Sequence, residues 1–447
     1  IIEYSPDAPA FCGRLGGDLL ISYFSQSDQI QRLKLSPDGS RVVWDKALIR
    51  SSAGTGGKTL SNPLPITQDP AGRIYVGEFG FDQVTVFEPV NIGLWTSFGL
   101  TNQPAALLDA GGAALDGKLY VVGGKSESGH QSSLYAYQPI SNTWQTLASL
   151  PAEYPGVENL AVAPYNGQLY VFGGSTEAFA GAVNKAAVYD PATDAWTLLP
   201  DMPTARGGVT AQTLGDEIYV IGGLGENGDS LATVEIFTPA TGAWRAGDSL
   251  LTPRDNPGSA VFDGKLYVFG GRTRIGGDNV EPTLNTIEIF TPGVGWETGT
   301  PMPSGRRTMS VVVLNGEIIV MGGEKTPEGG AFQVTEAYDP VNDRWRLLTM
   351  MPVGRHGAVA GVIGNTAYVA GGGAEGGTSF SADIDAFYFD CDAVVPTSVR
   401  FAEPSIIGAP TSMSQLIGFL KSGFGFTDAG AETISFTARA PLNLNTE

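Results

Sequence analysis

A seven-residue phrase, a short apolar strand running into a glycine pair, returns six times in this chain at nearly constant spacing. Residues 118–124 read KLYVVGG, 168–174 QLYVFGG, 217–223 EIYVIGG, 265–271 KLYVFGG, 317–323 EIIVMGG and 366–372 TAYVAGG. The first glycines fall at 123, 173, 222, 270, 322 and 371, at intervals of 48 to 52 residues. Self-similarity at a fixed period of this size means a repeat architecture, in which each unit buries its apolar surface on its neighbours.

The repeat has internal order. A small apolar run precedes each glycine strand, as at 208–214 and 309–314, and a tight turn separates the two. The turn dipeptides are Asp116-Gly117, Asn166-Gly167, Asp263-Gly264 and Asn315-Gly316, which tolerate positive φ and close two-residue hairpins. After the glycine pair comes a polar loop of variable length. A third strand then ends in aromatic-x-Pro: Tyr189-Asp190-Pro191, Phe237-Thr238-Pro239, Phe290-Thr291-Pro292 and Tyr338-Asp339-Pro340. A short turn leads to a tryptophan strand at Trp144, Trp196, Trp244, Trp296 and Trp345. Each unit thus spells four antiparallel strands, here lettered a to d in chain order, and the fold class is all-β.

These residues resemble the kelch family of β-propellers. Glycine pair, aromatic-x-Pro and spaced Trp recur together in five units, with a sixth lacking only the Trp, over residues 104–402. The resemblance implies four-stranded antiparallel blades around a central channel, an architecture that carries many unrelated functions. Residues 1–100 lack the glycine pair but keep a strand rhythm, with Trp95 closing their second unit and Gly77 in phase with Gly123. Gly-Asp-Leu-Leu at 17–20, Leu-Ser-Pro-Asp-Gly at 35–39 and Ile-Tyr-Val-Gly-Glu-Phe at 74–79 are similar to blades of NHL-type and sugar-dehydrogenase propellers. Two degenerate blades and six kelch-like ones make an expected eight-bladed propeller over 1–402. The alternative is seven, with the first unit belonging to a neighbouring domain. Residues 403–447 are expected to pack on the propeller as an extension or to begin a further domain.

The chain carries 26 Lys and Arg against 46 Asp and Glu, a net charge of −20. Such a surface argues against nucleic acid and anionic membrane as partners. No apolar run approaches a membrane span. The chain opens on Ile1, as expected of a processed chain or a piece of a longer polypeptide with neighbouring domains. Its two cysteines, Cys12 and Cys391, fall near the two ends of the expected propeller. A Cys12–Cys391 disulfide would staple that seam and imply an oxidising compartment, extracellular or periplasmic; two unrelated buried thiols are the alternative.

Strand order places the b–c loops and the d–a links on one face, and variable loops on a rigid ring are where function concentrates. The longest b–c loop, 272–285, carries Arg272 and Arg274. The d–a links place Arg206, Arg254, Arg306 and Arg355 at the start of strand a, with His356 after the last. This pattern leads to an expectation of arginines ringing the channel mouth and taking an acidic peptide or sugar, because the guanidinium fork matches carboxylates. In kelch adaptor proteins, similarly placed arginines take acidic peptides. The alternative is that each pairs with a carboxylate inside the propeller.

Galactose-oxidase-like enzymes share this propeller type, but their copper site needs two His and two Tyr. Here the only histidines, His130 and His356, lie in different blades. The phosphate-loop echo SAGTGGKT at 52–59 lacks its βα frame and reads as a loop. Asp383, Asp385, Asp390 and Asp392 have no EF-hand spacing, and strand alternation would split them between faces. No cofactor and no metal is expected. The functional expectation is a secreted or cell-surface scaffold binding protein or carbohydrate on the loop face. The alternative is a carbohydrate-active enzyme at the channel mouth.

Overall fold

A computed structural model describes residues 93–177, 180–276, 279–325, 330–375 and 379–389, together with the strand backbones outside that span. The chain divides into two compact units, one of Ile1–Asn91 with Asp390–Glu447 and one of Ile92–Phe389. All regular structure in the described residues is β, and no helix there is long and apolar enough to cross a membrane.

The second unit is a propeller. Blade 1 consists of Gly111–Leu115, Lys118–Val122, Leu134–Gln138 and Thr143–Leu147, hydrogen-bonded in that order. Blades 2 to 5 repeat it, with b strands Gln168–Phe172, Glu217–Ile221, Lys265–Phe269 and Glu317–Met321 and the same order a-b-c-d. Blade 6 takes strands a to c from Val359–Ile363, Thr366–Ala370 and Ile384–Tyr388, and its strand d from Leu94–Thr96. Its strand a packs beside that of blade 1, so the ring is closed.

The ring therefore has six blades, not the eight or seven expected, and it begins at residue 92 rather than 104. The reason is Trp95. It pairs with Phe387 across the sheet, packs on that ring at a centroid distance of 5.1 Å and donates Nε1–H to the Thr349 carbonyl at 2.9 Å. It is the missing tryptophan of the sixth kelch-like unit, supplied from the other end of the chain. The same indole bond recurs around the ring, from Trp144 to Thr101 and from Trp345 to Thr300.

The first unit contains two four-stranded antiparallel sheets. One runs Ile2–Glu3, Leu19–Tyr23, Gln29–Leu35, Val42–Ile49. The other runs Pro63–Gln68, Ile74–Glu78, Gln83–Pro89 and then Val394–Arg400, so a strand from beyond the ring completes the place expected of Trp95. Cys12, Cys391, the loop 52–59 and most of 403–447 lie outside the described residues, and so do Asp390 and Asp392.

Within each blade the aromatic of strand c co-varies with the following turn. Tyr137, Tyr189 and Tyr338 donate their hydroxyls to Asn142, Asp194 and Asp343 at 2.6 to 2.7 Å. These acceptors have φ of 49 to 52°, a region that Asn and Asp tolerate best after glycine. Where strand c carries Phe237 or Phe290, the turn carries Gly242 or Gly293, and beside Phe387 the residue that leads into strand d is Gly93, all three with φ of 66 to 77°. The hydroxyl partner disappears together with the hydroxyl.

Trp95→Ala removes the indole bond and the Phe387 contact at the single seam of the ring. The expected loss is about 2–4 kcal/mol, read by chemical denaturation of the full chain. A loss under about 0.5 kcal/mol, the level of an ordinary surface substitution, would mean the ring does not close through this strand.

Candidate functional site

The glycine pairs set the geometry of the channel mouth. The second glycine of each blade donates its N–H to the next blade: Gly124 to Val157, Gly174 to Arg206, Gly223 to Arg254, Gly271 to Arg306, Gly323 to Arg355 and Gly372 to Leu107, at 2.7 to 3.0 Å. The first glycine lies against the same carbonyl. A Cβ at Gly322 would meet the Arg355 oxygen at 2.2 Å and its φ is +61°, so no other residue fits there. Two residues beyond that carbonyl, a second circle forms. Asp109, Asn159, Gly208, Asn256, Thr308 and Gly357 each donate N–H to the preceding blade, closing on Gly357 at 2.7 to 3.0 Å. All six have φ between 52 and 61°.

The four arginines do not face the mouth. Arg206, Arg254 and Arg306 are fully buried and Arg355 is 3% exposed. Arg306 donates Nη1 to the Gly322 and Val334 carbonyls at 3.0 and 3.2 Å and pairs through Nη2 with Glu336. Arg206 does the same with Gly222, Thr233 and Glu235, Arg254 with Gly270, Thr286 and Glu288, and Arg355 with Gly371, Asp383 and Asp385. Each side chain thus ties its own d–a link to strands b and c of the same blade. Burial pushes all four guanidinium groups below their usual pKa. The expected arginine-lined mouth for acidic ligands is corrected here: the forks are already filled by carboxylates from strand c.

The acidic partners were legible. The second residue of strand c is Glu235, Glu288, Glu336 or Asp385 in the four blades with an arginine. In blades 1 and 2 the corresponding pairs are Leu107 with Tyr135 and Val157 with Ala187. Charge is matched by charge at this place in the repeat, and an aliphatic link residue by an uncharged residue of strand c.

The groups that do gather at the mouth lie one residue further on, because neighbouring side chains of extended backbone point to opposite sides. They are Glu158, Asp255, Arg307 and His356, bridged to Ser175, Arg272, Glu324 and Gly373 at the bases of the b–c loops. Arg272 is 2% exposed and holds Asp255 at 2.8 Å. Arg307 holds Glu324 at 2.5 Å. His356 is 2% exposed, with Nε2 3.0 Å from the Glu375 carbonyl and Nδ1 3.9 Å from Glu324. Arg274 is half-buried on the hairpin Arg272–Ile275, where its N–H donates to Ser230 Oγ at 2.9 Å. His130 is on the corresponding hairpin of blade 1, 3.7 Å from Glu158, so the two histidines stay on separate blades.

Asp109 stands among these charges. Burial pushes its carboxyl up to about 6; Glu158 and Glu324 add to that, while His356 and Arg307 oppose it. Asp383 and Asp385 split as strand alternation requires, Asp383 exposed and Asp385 buried. Among the described residues no group of His, Cys, Asp and Glu is arranged to hold a metal. An open cleft of about 350 Å³ lies on the same face between blades 2 and 3, with Pro155, Val183, Lys185, Pro203 and Glu226 in its walls.

Comparison with known proteins agrees with this architecture. The KLHDC2/KLHL20/DRC7 Kelch-repeats domain matches residues 78–223 and 159–373. Kelch-like protein terF of Aspergillus terreus is 32% identical over 295 residues, covering 62% of this chain and 63% of that protein. Kelch-like protein 36 of Bos taurus is 30% identical over 250 residues, 56% of this chain and 32% of that one. The chain thus spans less than two thirds of the length of either relative. The solved structure of YjhT superposes with a TM-score of 0.56 at 17% identity, covering 66% of this chain and 99% of its own, a likeness of fold alone.

Arg306→Ala strands Glu336 in the core and is expected to cost about 3–5 kcal/mol. The double variant Arg306→Val with Glu336→Ala, which copies the Val157–Ala187 pair of blade 2, is expected to recover most of that loss in denaturation experiments. A double variant no better than the single one would mean the pair does more than fill the blade. Asp109→Asn tests the buried carboxyl. A folded pKa raised above the unfolded one gives a contribution present below about pH 4 and lost as pH rises through 6. The variant is therefore expected to be more stable than the parent at pH 7.5, by on the order of 1–2 kcal/mol, with the difference vanishing toward pH 4. A destabilised variant at pH 7.5 would contradict the assignment.

Proposed function

Because the chain belongs to the kelch-repeat family, we propose that its ring is a protein-binding scaffold that holds its partner on the face of the b–c loops and d–a links. The carrying observation is the division of labour in the repeat. Glycine pairs, arginine–carboxylate pairs, Tyr–Asx turns and tryptophans are all consumed inside the ring. The b–c loops differ from blade to blade, from the four-residue tight turn after Leu224-Gly225 to the hairpin Arg272–Ile275 with Asn279–Thr283. Variation confined to one face of a rigid frame is what a recognition surface requires.

The alternative, a carbohydrate-active enzyme at the mouth, drew on Arg206, Arg254, Arg306 and Arg355, and it loses support once their donors are filled. A carbohydrate ligand loses the same support. A secreted location is a separate proposal resting on Cys12 and Cys391. Mass spectrometry of peptides from the unreduced protein tests it, a Cys12–Cys391 linked peptide being the expected result and free thiols at both positions the contrary one.

The scaffold reading is tested by proximity labelling from the full chain in its source cells, beside variants in which residues 126–129, or 176–181, beyond the base pairs Lys125–His130 and Ser175–Ala182, are replaced by a two-residue turn. Loss of the captured proteins with retained thermal stability is expected. Capture unchanged by both replacements would place binding elsewhere on the molecule.

A further inference from the structure

The mouth is short of positive charge. Arg272 is committed to Asp255 and Arg307 to Glu324. Glu158 is 4% exposed, and its carboxylate accepts no hydrogen bond. Its nearest cations, Lys125 Nζ at 3.9 Å and His130 Nε2 at 3.7 Å, are beyond hydrogen-bond reach. Asp109 is half-buried, with Oδ1 enclosed against Gly357 and without a donor. A buried acceptor without a donor is costly and uncommon in a folded protein. Asp109 Oδ1 is such an acceptor, and Glu158 stands on the adjoining blade, linked to it by the bond from the Asn159 N–H to the Asp109 carbonyl at 2.7 Å. His356, also buried, leaves Nδ1 without a hydrogen bond.

The rim above the mouth repeats the sign. The third residue after the glycine pair is Glu375 in blade 6, Glu127 in blade 1, Glu177 in blade 2 and Glu226 in blade 3, all exposed. These four blades are consecutive around the ring, so the carboxylates form an arc over two thirds of it. Glu226 also walls the cleft between blades 2 and 3. The equivalent of blade 4 is Arg274, and that of blade 5, Thr326, lies outside the described residues.

We infer that the mouth takes a cationic side chain, lysine or arginine, from the protein partner, seated between Glu158 and Asp109 and drawn in by the arc of glutamates. The inference rests on the scaffold reading and gives it a partner chemistry opposite to that expected from the arginine pattern. An ammonium or guanidinium group brings donors and no acceptor, which is what the two carboxylates lack. Charge of one sign arranged around a concave mouth also raises the rate of encounter with the opposite sign. Burial raises the pKa of both Glu158 and Asp109, and an incoming cation would reverse that direction, so affinity should weaken on acidification through pH 6.

The test uses the full chain and two fluorescein-labelled nonapeptide pools in anisotropy titrations. Members of one pool carry two Lys or Arg and no acid; members of the other carry two Asp or Glu and no base. The basic pool is expected to bind about tenfold or more tighter than the acidic one, and less tightly at high salt. Glu158→Gln and Asp109→Asn are each expected to weaken binding of the basic pool about fivefold or more with no loss of thermal stability, and Glu226→Gln about twofold. Glu297→Gln, on the outer strand of blade 4, is the control and should change nothing. Tighter binding of the acidic pool would overturn the inference while leaving the scaffold reading intact. Basic-pool binding indifferent to Glu158→Gln would overturn it as well, as would binding of neither pool. If, in addition, protein capture survives both loop replacements, the placement of the partner on this face falls with it.

Discussion

Two circles of backbone hydrogen bonds hold the propeller at its axis, and the rest of the ring depends on them. In one, the second glycine of each blade donates to the next blade; in the other, six left-handed residues pass N–H to carbonyl around the ring. Backbone that would otherwise carry unsatisfied polar groups into the interior is paired at every blade. The bonds fix the spacing of adjacent blades, so blade number and closure are coupled to the same set of contacts.

That constraint explains where charge resides. A link pinned by its carbonyl to one blade and by its side chain to another cannot also present that side chain to a ligand. Arg206, Arg254, Arg306 and Arg355 point into their own blades and meet Glu235, Glu288, Glu336 and Asp385. Buried ion pairs of this kind contribute little over a well-packed apolar pair, and blades 1 and 2 use the apolar version. The following residue faces the other way, which puts Glu158, Asp255, Arg307 and His356 around the mouth and leaves Asp109 as a carboxyl with too few partners.

Much of this was readable from residues alone. The period of the glycine pairs marks the blades, and the Asp-Gly and Asn-Gly turns mark the a–b hairpins. Strand c shows its environment in the choice between Tyr with Asx and Phe with Gly. The site was less legible. A pattern of arginines at the start of strand a carries the residue type but not the direction of its side chain, and a shift of one residue in extended backbone exchanges core for channel. The acids on strand c at the matching blades were the available signal for burial.

What the sequence determined by itself is local and periodic: the strands, their order within a blade, the hairpin turns and the six-fold recurrence of the glycine pair. What only the tertiary structure decided is closure. The sixth blade takes Leu94–Thr96 from a stretch nearly three hundred residues upstream of its partner, and the ring is complete without the sheets of the first unit. Pairing between strands so distant leaves no mark in either neighbourhood beyond Trp95. Its place is fixed by closure, because strand a of the sixth blade packs beside strand a of the first.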